Sequence, residues 1–492
     1  MRRVLIIRLG GVLAAASLLA SAAGGSSVAA TTAAIALKPA VGPPTTRVQV
    51  DGSGFGAGET VAISFDRSLL APTVADAAGA FRIRVTVPAS AHPGSHVIEA
   101  DGQASGLAAQ KVFLVRTDWV QRCFEAGRSC FNPYENVIGL RTASLLAKSW
   151  AARIGASGTG SPVYQGGVLY AGGSDGLHGL DPATGAIIIN FRIGPVTTTP
   201  AVIPRSGRSA AEIVVGSTDG TFAAASKTGG LMWRVALGAP VTSPLLACFP
   251  PDPCKVIVGA GHVLYAFDRN GNRQWAAVLE GGDISKGGAV IINQASGQVA
   301  VAAGNSLYAV NASDGSVVWS KVLSRSALGD PAVGNRKLVR SPQMLVGDRG
   351  GTLYLVNPGT GVVVSRFAAG GAISGSPAIG DPNLSDPWEF VGDSRGDLYG
   401  FKDPAQLGRP TWAANLGGSV NGSPVLANGV LYVGTDPTIG DPNLFALDAG
   451  TGRVLFETTL PGGMASAAMV ADGKVVLALA SGDIAGYETP DT

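Results

Sequence analysis

The chain has 492 residues, 46% hydrophobic and only 14% charged, with 70 Gly and 30 Pro. Average usage is about 25% charged, so this composition excludes a disordered chain and a helical bundle, and it suits short strands joined by Gly- and Asp-containing turns. The formal charge of +2 includes Arg2, Arg3 and Arg8, which lie in a segment expected to be removed; without them the chain stands at −1, too near neutral to hold nucleic acid.

The chain opens with Arg2, Arg3 and Arg8 and an apolar run from Leu9 to Ala20, with Ala20-Ser21-Ala22 as one cleavage site. A basic start, an apolar stretch and small residues read as a secretory signal over 1–22. A retained anchor is the alternative, but the run is short and diluted by Ala and Gly. The Arg pair lacks a fuller twin-arginine motif. Residues 23–35 read as a flexible spacer. All four cysteines therefore meet an oxidising compartment. Their proximity favours the local disulfides Cys123–Cys130 and Cys248–Cys254 over the other pairings.

Residues 36–115 show alternating strands such as Thr46–Val50, Thr60–Phe65 and Ala80–Val87, broken by Asp51-Gly52-Ser53-Gly54 and His92-Pro93-Gly94. That spacing predicts a β-sandwich of roughly 80 residues. The pattern Gly42-Pro-Pro-Thr, Val50-Asp-Gly-Ser-Gly-Phe55 and Gly56-Ala-Gly-Glu-Thr60 resembles bacterial immunoglobulin-like domains of the IPT/TIG kind, which implies a spacer or adhesion unit. Residues 116–141 read as a connector. Within it, Arg122, Glu125 and Arg128 are expected to stand in a solvated loop.

From 142 to 490 the sequence repeats. An aromatic position is filled by Trp150, Ile189, Trp233, Trp275, Trp319, Ser365, Trp412 and Phe456, at spacings of 39, 44, 42, 44, 46, 47 and 44. A Pro follows at 162, 200, 244, 331, 377 and 424; Gly288 and Ala467 stand where two repeats lack it. Asp181, Asn311, Asn357 and Asp448 each precede Gly185, Gly315, Gly361 and Gly452 by four residues. An Asx side chain can bond backbone two residues on, and Gly supplies the positive φ of a tight hairpin. Four strand-like pieces per repeat at this period predict an all-β, eight-bladed β-propeller with four-stranded blades, seven being the fallback. The repeats begin at the strand of Trp150 and stop after a third strand at Asp483–Tyr487, so the N-terminal strand is expected to complete the last blade.

The stretch Ala309-Val-Asn-Ala-Ser-Asp-Gly-Ser-Val-Val-Trp319, and in part Leu447-Asp-Ala-Gly-Thr-Gly-Arg-Val-Leu-Phe456, resembles the signature of the pyrroloquinoline-quinone (PQQ)-like propeller family. That family includes assembly factors for outer-membrane proteins as well as quinoprotein dehydrogenases, so the resemblance implies fold and leaves function open. A dehydrogenase needs cations for the three PQQ carboxylates, a stacking aromatic and Ca²⁺ held by oxygens. No adjacent cysteines and no calcium trio stand out, so no cofactor, metal or catalytic residue is expected. His178 and His262 read as exposed turn residues. Gly380-Asp-Pro-Asn-Leu384, recurring as Gly440-Asp-Pro-Asn-Leu444, reads as an Asx–Pro turn and not as a Ca²⁺ loop. Glu280 and Asp283 receive no role.

The expected protein is a secreted monomer, extracellular, in the cell wall, or periplasmic in a host with an outer membrane, with no membrane insertion after cleavage. Its propeller is expected to be a non-enzymatic platform for a protein or a cell-wall polysaccharide. The mouth of the central channel is the default binding surface. A PQQ-dependent dehydrogenase and a polysaccharide-processing protein are the alternatives.

Overall fold

The computed structural model describes residues 32–155, 160–203, 212–249, 253–327, 329–334, 343–380, 387–402, 407–436, 442–464 and 466–490. The expected signal, the spacer up to 31 and the Asp381–Asn383 turn lie outside them. Among the described residues the structure is strands and turns, with one 3₁₀ turn at Ala143–Leu145. Two compact units are distinguished.

The N-terminal strands form two sheets. Ala34–Lys38, Arg47–Ser53 and Phe81–Thr86 make a three-stranded sheet. Val41–Gly42, Ala108–Val115, Gly94–Gly102, Thr60–Phe65 and Ser68–Val74 make a five-stranded one in that order. The alternation read from the sequence is seen directly: Val48 and Val50 are buried while Arg47 is exposed. Ala34 and Ile35 already belong to a strand, so the expected spacer ends earlier than 35. One carboxylate clamps two loops. Glu59 accepts from the Gly56, Ala104 and Ser105 amides and the Ser105 hydroxyl. Those bonds, led by the Ser105 amide, outweigh partial desolvation and hold its pKa down at about 2.

In the second unit, among the described residues, eight sheets follow one another along the chain in the manner of a β-propeller. Their innermost strands are Val163–Gln165, Ala201–Ile203, Leu245–Ala247, Val290–Asn293, Ala332–Val333, Ala378–Gly380, Val425–Ala427 and Met469–Ala471. Each blade runs outward by antiparallel hairpins, as in the second: Ala201–Ile203, Glu212–Gly216, Thr221–Ser226, Leu231–Ala236. Glu212–Gly216 is buried throughout, because neighbouring blades cover both faces. Outermost strands such as Val317–Val322 alternate exposed and half-buried positions. Period-two patterning is therefore confined to the rim of the ring, and the middle strands read as continuous apolar runs.

The last blade closes as expected. Ala147–Arg153 pairs antiparallel with Asp483–Glu488, from Ala147 opposite Glu488 to Arg153 opposite Asp483. The final repeat takes its outer strand from the N-terminal side of the repeat region, which removes an open edge.

The aromatic and Asx–Gly signals turn out to be two halves of one joint. Gly185, Gly315, Gly361 and Gly452 all have φ between 70° and 81°. The Asp181, Asn357 and Asp448 carboxyl or amide oxygens accept the N–H two residues on, at 2.9 Å in each case. The tryptophan of the preceding repeat lies on the turn glycine. Trp319 Nε1 donates to the Pro358 carbonyl at 3.0 Å, and a Cβ on Gly361 would stand 2.6 Å from its ring. Trp150, Trp275 and Trp412 repeat this with Pro182, Ala312 and Ala449. Trp233 does so with Arg269 and the turn at Gly271. Where the repeat has Ile189, an aliphatic side chain meets the glycine turn at Gly229 instead. Phe456 packs edge-on against Tyr487, centroids 6.3 Å apart. At the remaining weak repeat, the Ser365 hydroxyl accepts the Leu407 amide.

Gly361→Ala should therefore destabilise the fold by about 2 kcal/mol or more, because it adds left-handed backbone strain to a clash with an anchored indole. Chemical denaturation checks this, and an unchanged midpoint would contradict the joint.

Candidate functional site on the channel axis

The site begins with a repeat position that sequence reading passed over: the residue before each Pro. Ser161, Thr199, Ser243, Asp330, Ser376 and Ser423 occupy it, with Gly287 and Ser466 at the two repeats lacking Pro. A residue before Pro is held extended, which points its amide and side chain along the ring instead of into a helix turn. The Ser161 amide donates to Thr199 Oγ1 at 2.9 Å and the Thr199 amide to Ser243 Oγ at 3.3 Å. The Asp330 amide donates to Ser376 Oγ at 3.2 Å, and the Ser376 amide to Ser423 Oγ at 2.9 Å. These bonds make part of a hydroxyl collar around the axis, at the end where the inner strands begin.

Beside the collar, the expected connector is not a linker. Residues 119–132 pass around the axis and meet the inner strand of each blade in turn. Trp119 exchanges two backbone bonds with Tyr164, at 2.7 and 2.8 Å. The Val202 amide donates to the Val120 carbonyl and the Leu246 amide to Gln121 Oε1. Ile291, Val333, Ile379 and Leu426 donate to the carbonyls of Ala126, Gly127, Ser129 and Cys130, at 2.8 to 2.9 Å. Asn132 Nδ2 reaches the Val470 carbonyl of the eighth blade at 2.8 Å. A buried inner edge without partners would leave its amides unsatisfied at a cost of about 1–3 kcal/mol each. The connector supplies partners, using main-chain carbonyls where it runs close and Gln or Asn side chains where it does not.

The tight path needs unusual backbone. Cys123, Phe124, Arg128 and Cys130 all have φ between 51° and 74°. Side chains rarely adopt that conformation, and it persists only where surroundings over-determine it. The expected Cys123–Cys130 disulfide joins the two ends of this loop, and both cysteines are buried. Cys248–Cys254 is formed as well, between the inner strand Leu245–Ala247 and the strand Lys255–Ala260.

This placement corrects the reading of Arg122, Glu125 and Arg128 as a solvated loop. Arg128 is 1% exposed, and its guanidinium donates to the Gly287 and Ser243 carbonyls and pairs with Asp330. Arg122 Nε donates to the same Asp330 oxygen at 2.9 Å. Burial alone would raise the Asp330 pKa, but the two arginines and the Ser285 hydroxyl hold it below the ordinary value. Burial and Arg122 lower the Arg128 pKa to about 10 against the pull of Asp330. Glu125 folds back on the Gly127 and Ser129 amides, and burial still raises its pKa. A side chain on Gly287 would collide with Asp330. The sequence did carry this signal: one repeat puts Asp where others have Ser or Thr, and the repeat before it has Gly-Gly.

A second latch joins the connector to the eighth blade. Asp472 accepts the Thr117 amide at 2.9 Å, and Glu135 accepts the Gly473 amide at 3.1 Å. Desolvation, with Glu135 and Asp118 nearby, raises the Asp472 pKa to about 7 despite the Thr117 bond and Arg116. Burial also raises that of Glu135.

The remaining candidates disperse. His262 is in an exposed turn as expected. His178 is not: it lies 3% exposed in the strand Leu177–Leu180, with Nε2 2.9 Å from Asp175. A strand inside a blade, and not its terminal turn, carries it. Trp388 begins the strand Trp388–Gly392 and stacks on Phe390. Glu280 and Asp283 show no role.

Comparison with known proteins agrees with the fold. The family description of the EMC1 N-terminal beta-propeller domain matches residues 193–335, and that of the outer membrane protein assembly factor BamB matches 349–491. No curated protein matches the sequence. Among solved structures, the quinohemoprotein alcohol dehydrogenase ADHIIG from Pseudomonas putida HK5 superposes with TM-score 0.59 at 14% identity, over 76% of this chain and 81% of that one. Saccharomyces cerevisiae Sqt1 gives 0.58 at 14%, over 70% and 99%. The computationally designed Ika8 protein gives 0.57 at 13%, over 69% and 99%. A natural dehydrogenase and a designed protein share this architecture at such identities, so the likeness shows the fold and no activity.

Two measurements test the cluster and the latch. Asp330→Asn strands the buried Arg128 guanidinium and takes away the partner of the half-buried Arg122, and should cost about 3–5 kcal/mol in denaturant unfolding; a loss under 1 kcal/mol (roughly one broken exposed pair) would contradict the pairing. For Asp472, a folded pKa raised from 3.8 to about 7 means that the fold binds the proton more tightly. Its contribution to stability is full below about pH 4 and is lost as pH rises through 7. Asp472→Asn should flatten that decline and raise the melting temperature at pH 8 by a few degrees. A parallel decline in both proteins would contradict it.

Proposed function

We propose that the chain is a secreted, non-catalytic binding platform: an eight-bladed PQQ-like propeller preceded by an immunoglobulin-like sandwich that serves as spacer or second contact. The single observation that carries this reading is the axis filled by the chain's own residues 119–132, bonded to every inner strand. Two disulfides and the basic, apolar start of the sequence support export to an extracellular, cell-wall or periplasmic location. Among the described residues no helix is long and apolar enough to cross a membrane. The near-neutral surface supports a protein or polysaccharide partner over nucleic acid.

The dehydrogenase alternative needs room for a quinone and a cation. PQQ with Ca²⁺ requires free cationic donors for three carboxylates, an aromatic face and an oxygen cage. On the axis, Arg128 and Asp330 are spent on each other and on backbone carbonyls. The collar positions hold Ser, Thr, Gly and Asp but no aromatic. No group of three or more His, Cys, Asp or Glu able to hold a metal stands together among the described residues. These residues do not fit that group, and no catalytic step is derived through it.

Adding PQQ and Ca²⁺ to the purified protein should produce neither a melting shift nor dye-linked alcohol oxidation. Saturable oxidation would overturn the platform reading. Retention on cell-wall polysaccharide, against capture of one protein from culture supernatant, separates the two partner classes.

A further inference from the structure

We propose that a cavity beside the connector seats a ring of a neutral polysaccharide, with Phe124 and Tyr134 as stacking faces and the Arg116–Asp118 pair reading the ring's hydroxyls. This deepens the platform reading and rests on it for the chain being a non-catalytic binder. Of the two partner classes it selects the polysaccharide.

The cavity has a volume of about 340 Å³, within the range of roughly 300–1,000 Å³ that small-molecule sites occupy. All of its lining residues belong to the larger compact unit. One wall is Val41–Pro43, where Val41–Gly42 pairs parallel with Leu114–Val115 and the Gly42 carbonyl accepts the Arg116 amide at 3.0 Å. The connector supplies the rest, at residues 116–118, Phe124 and Tyr134. Each of these pieces is pinned. The Thr117 amide is held by Asp472, the Tyr134 amide by Asn132 Oδ1 at 2.9 Å, and Phe124 sits inside the Cys123–Cys130 loop. A wall so fixed needs little ordering when a ligand arrives.

Aromatic surface and charge then select the occupant. Phe124 and Tyr134 are half-buried, with ring centroids 6.2 Å apart and planes inclined by 54°, and Trp119 backs Phe124 edge-on at 5.2 Å. The Tyr134 hydroxyl has no partner among the described residues. Arg116 Nε donates to Asp118 Oδ1 at 2.8 Å and Nη2 to Oδ2 at 3.5 Å, and Asp118 also accepts the Gly166 amide. These two charges cancel. An anion would find no uncommitted cation, and a cation drawn to the rings would meet Arg116. Behind Thr117, desolvation raises the Asp472 pKa to about 7, so at about pH 6 that carboxyl is mostly neutral as well. The pair still carries N–H donors and carboxylate lone pairs side by side. A sugar hydroxyl donates and accepts at once and matches both, whereas a proline-rich segment offers only carbonyls, which Asp118 repels. A sugar ring also presents a weakly positive C–H face, which suits the negative face of an aromatic ring.

The test titrates the full chain at about pH 6 with maltohexaose, cellohexaose and mannohexaose by isothermal calorimetry. At least one should bind saturably, with no loss at high salt. Tyr134→Ala should weaken that binding at least about tenfold and Tyr134→Phe much less, because the stacking face remains. Asp118→Asn, which keeps the shape but exchanges an acceptor for a donor, should also weaken it, and it decides the matter if Tyr134→Ala lowers the melting temperature. Binding of none of the three sugars, or unchanged binding by both Tyr134→Ala and Asp118→Asn, would overturn the proposal. So would tighter binding of oligogalacturonate, choline or an oligoproline peptide, which would assign the cavity to an anion, a cation or a polypeptide. Turnover with PQQ and Ca²⁺ would instead remove the platform reading, so the two failures are distinguishable.

Discussion

A small antiparallel sheet wedged between two copies of itself hides its faces but not its innermost edge. Among the described residues such edges converge on one axis, each carrying amides that need acceptors away from bulk water. The described structure meets that need from within the chain, with a loop of left-handed residues tied by Cys123–Cys130. Most other features at the centre follow from it. The Gln121 and Asn132 side chains replace main chain where the loop swings away, and the Arg128–Asp330 pair fills the gap opposite Gly287.

With residues 119–132 bonded to the inner strands, this propeller differs from one built around a deep central cavity. Outer strands leave aliphatic side chains such as Val318 and Val364 in solvent, as expected of a face with no neighbouring blade. The collar brings the Arg122, Arg128 and Asp330 charges together with buried hydroxyls at one end of the inner strands.

Much of the architecture was legible in the residues. The Trp319–Gly361 joint was foreseen as two separate signals, an aromatic that packs and a glycine that turns; that they touch is visible only in three dimensions. The closing strand at Ala147–Arg153 followed from counting where the repeats start and stop. The candidate site was less legible. Arg122, Glu125 and Arg128 sit among Gly, Ser and Cys in a segment with no periodicity, which by local pattern reads as exposed loop. The two arginines are held by residues up to 301 positions away in sequence, and no local pattern encodes such a contact. His178 misled for the opposite reason: its glycine neighbour signalled a turn, whereas the small Gly173 makes room for an imidazole inside a blade.

Hydrogen exchange at the inner-strand amides of Val202, Ile291, Val333, Ile379 and Leu426 tests the central claim most directly. The account predicts exchange as slow as in the buried middle strands, because each amide donates to a connector carbonyl at 2.7 to 2.9 Å. Exchange at the rate of an open sheet edge would show that the connector does not occupy the axis, and would contradict the account.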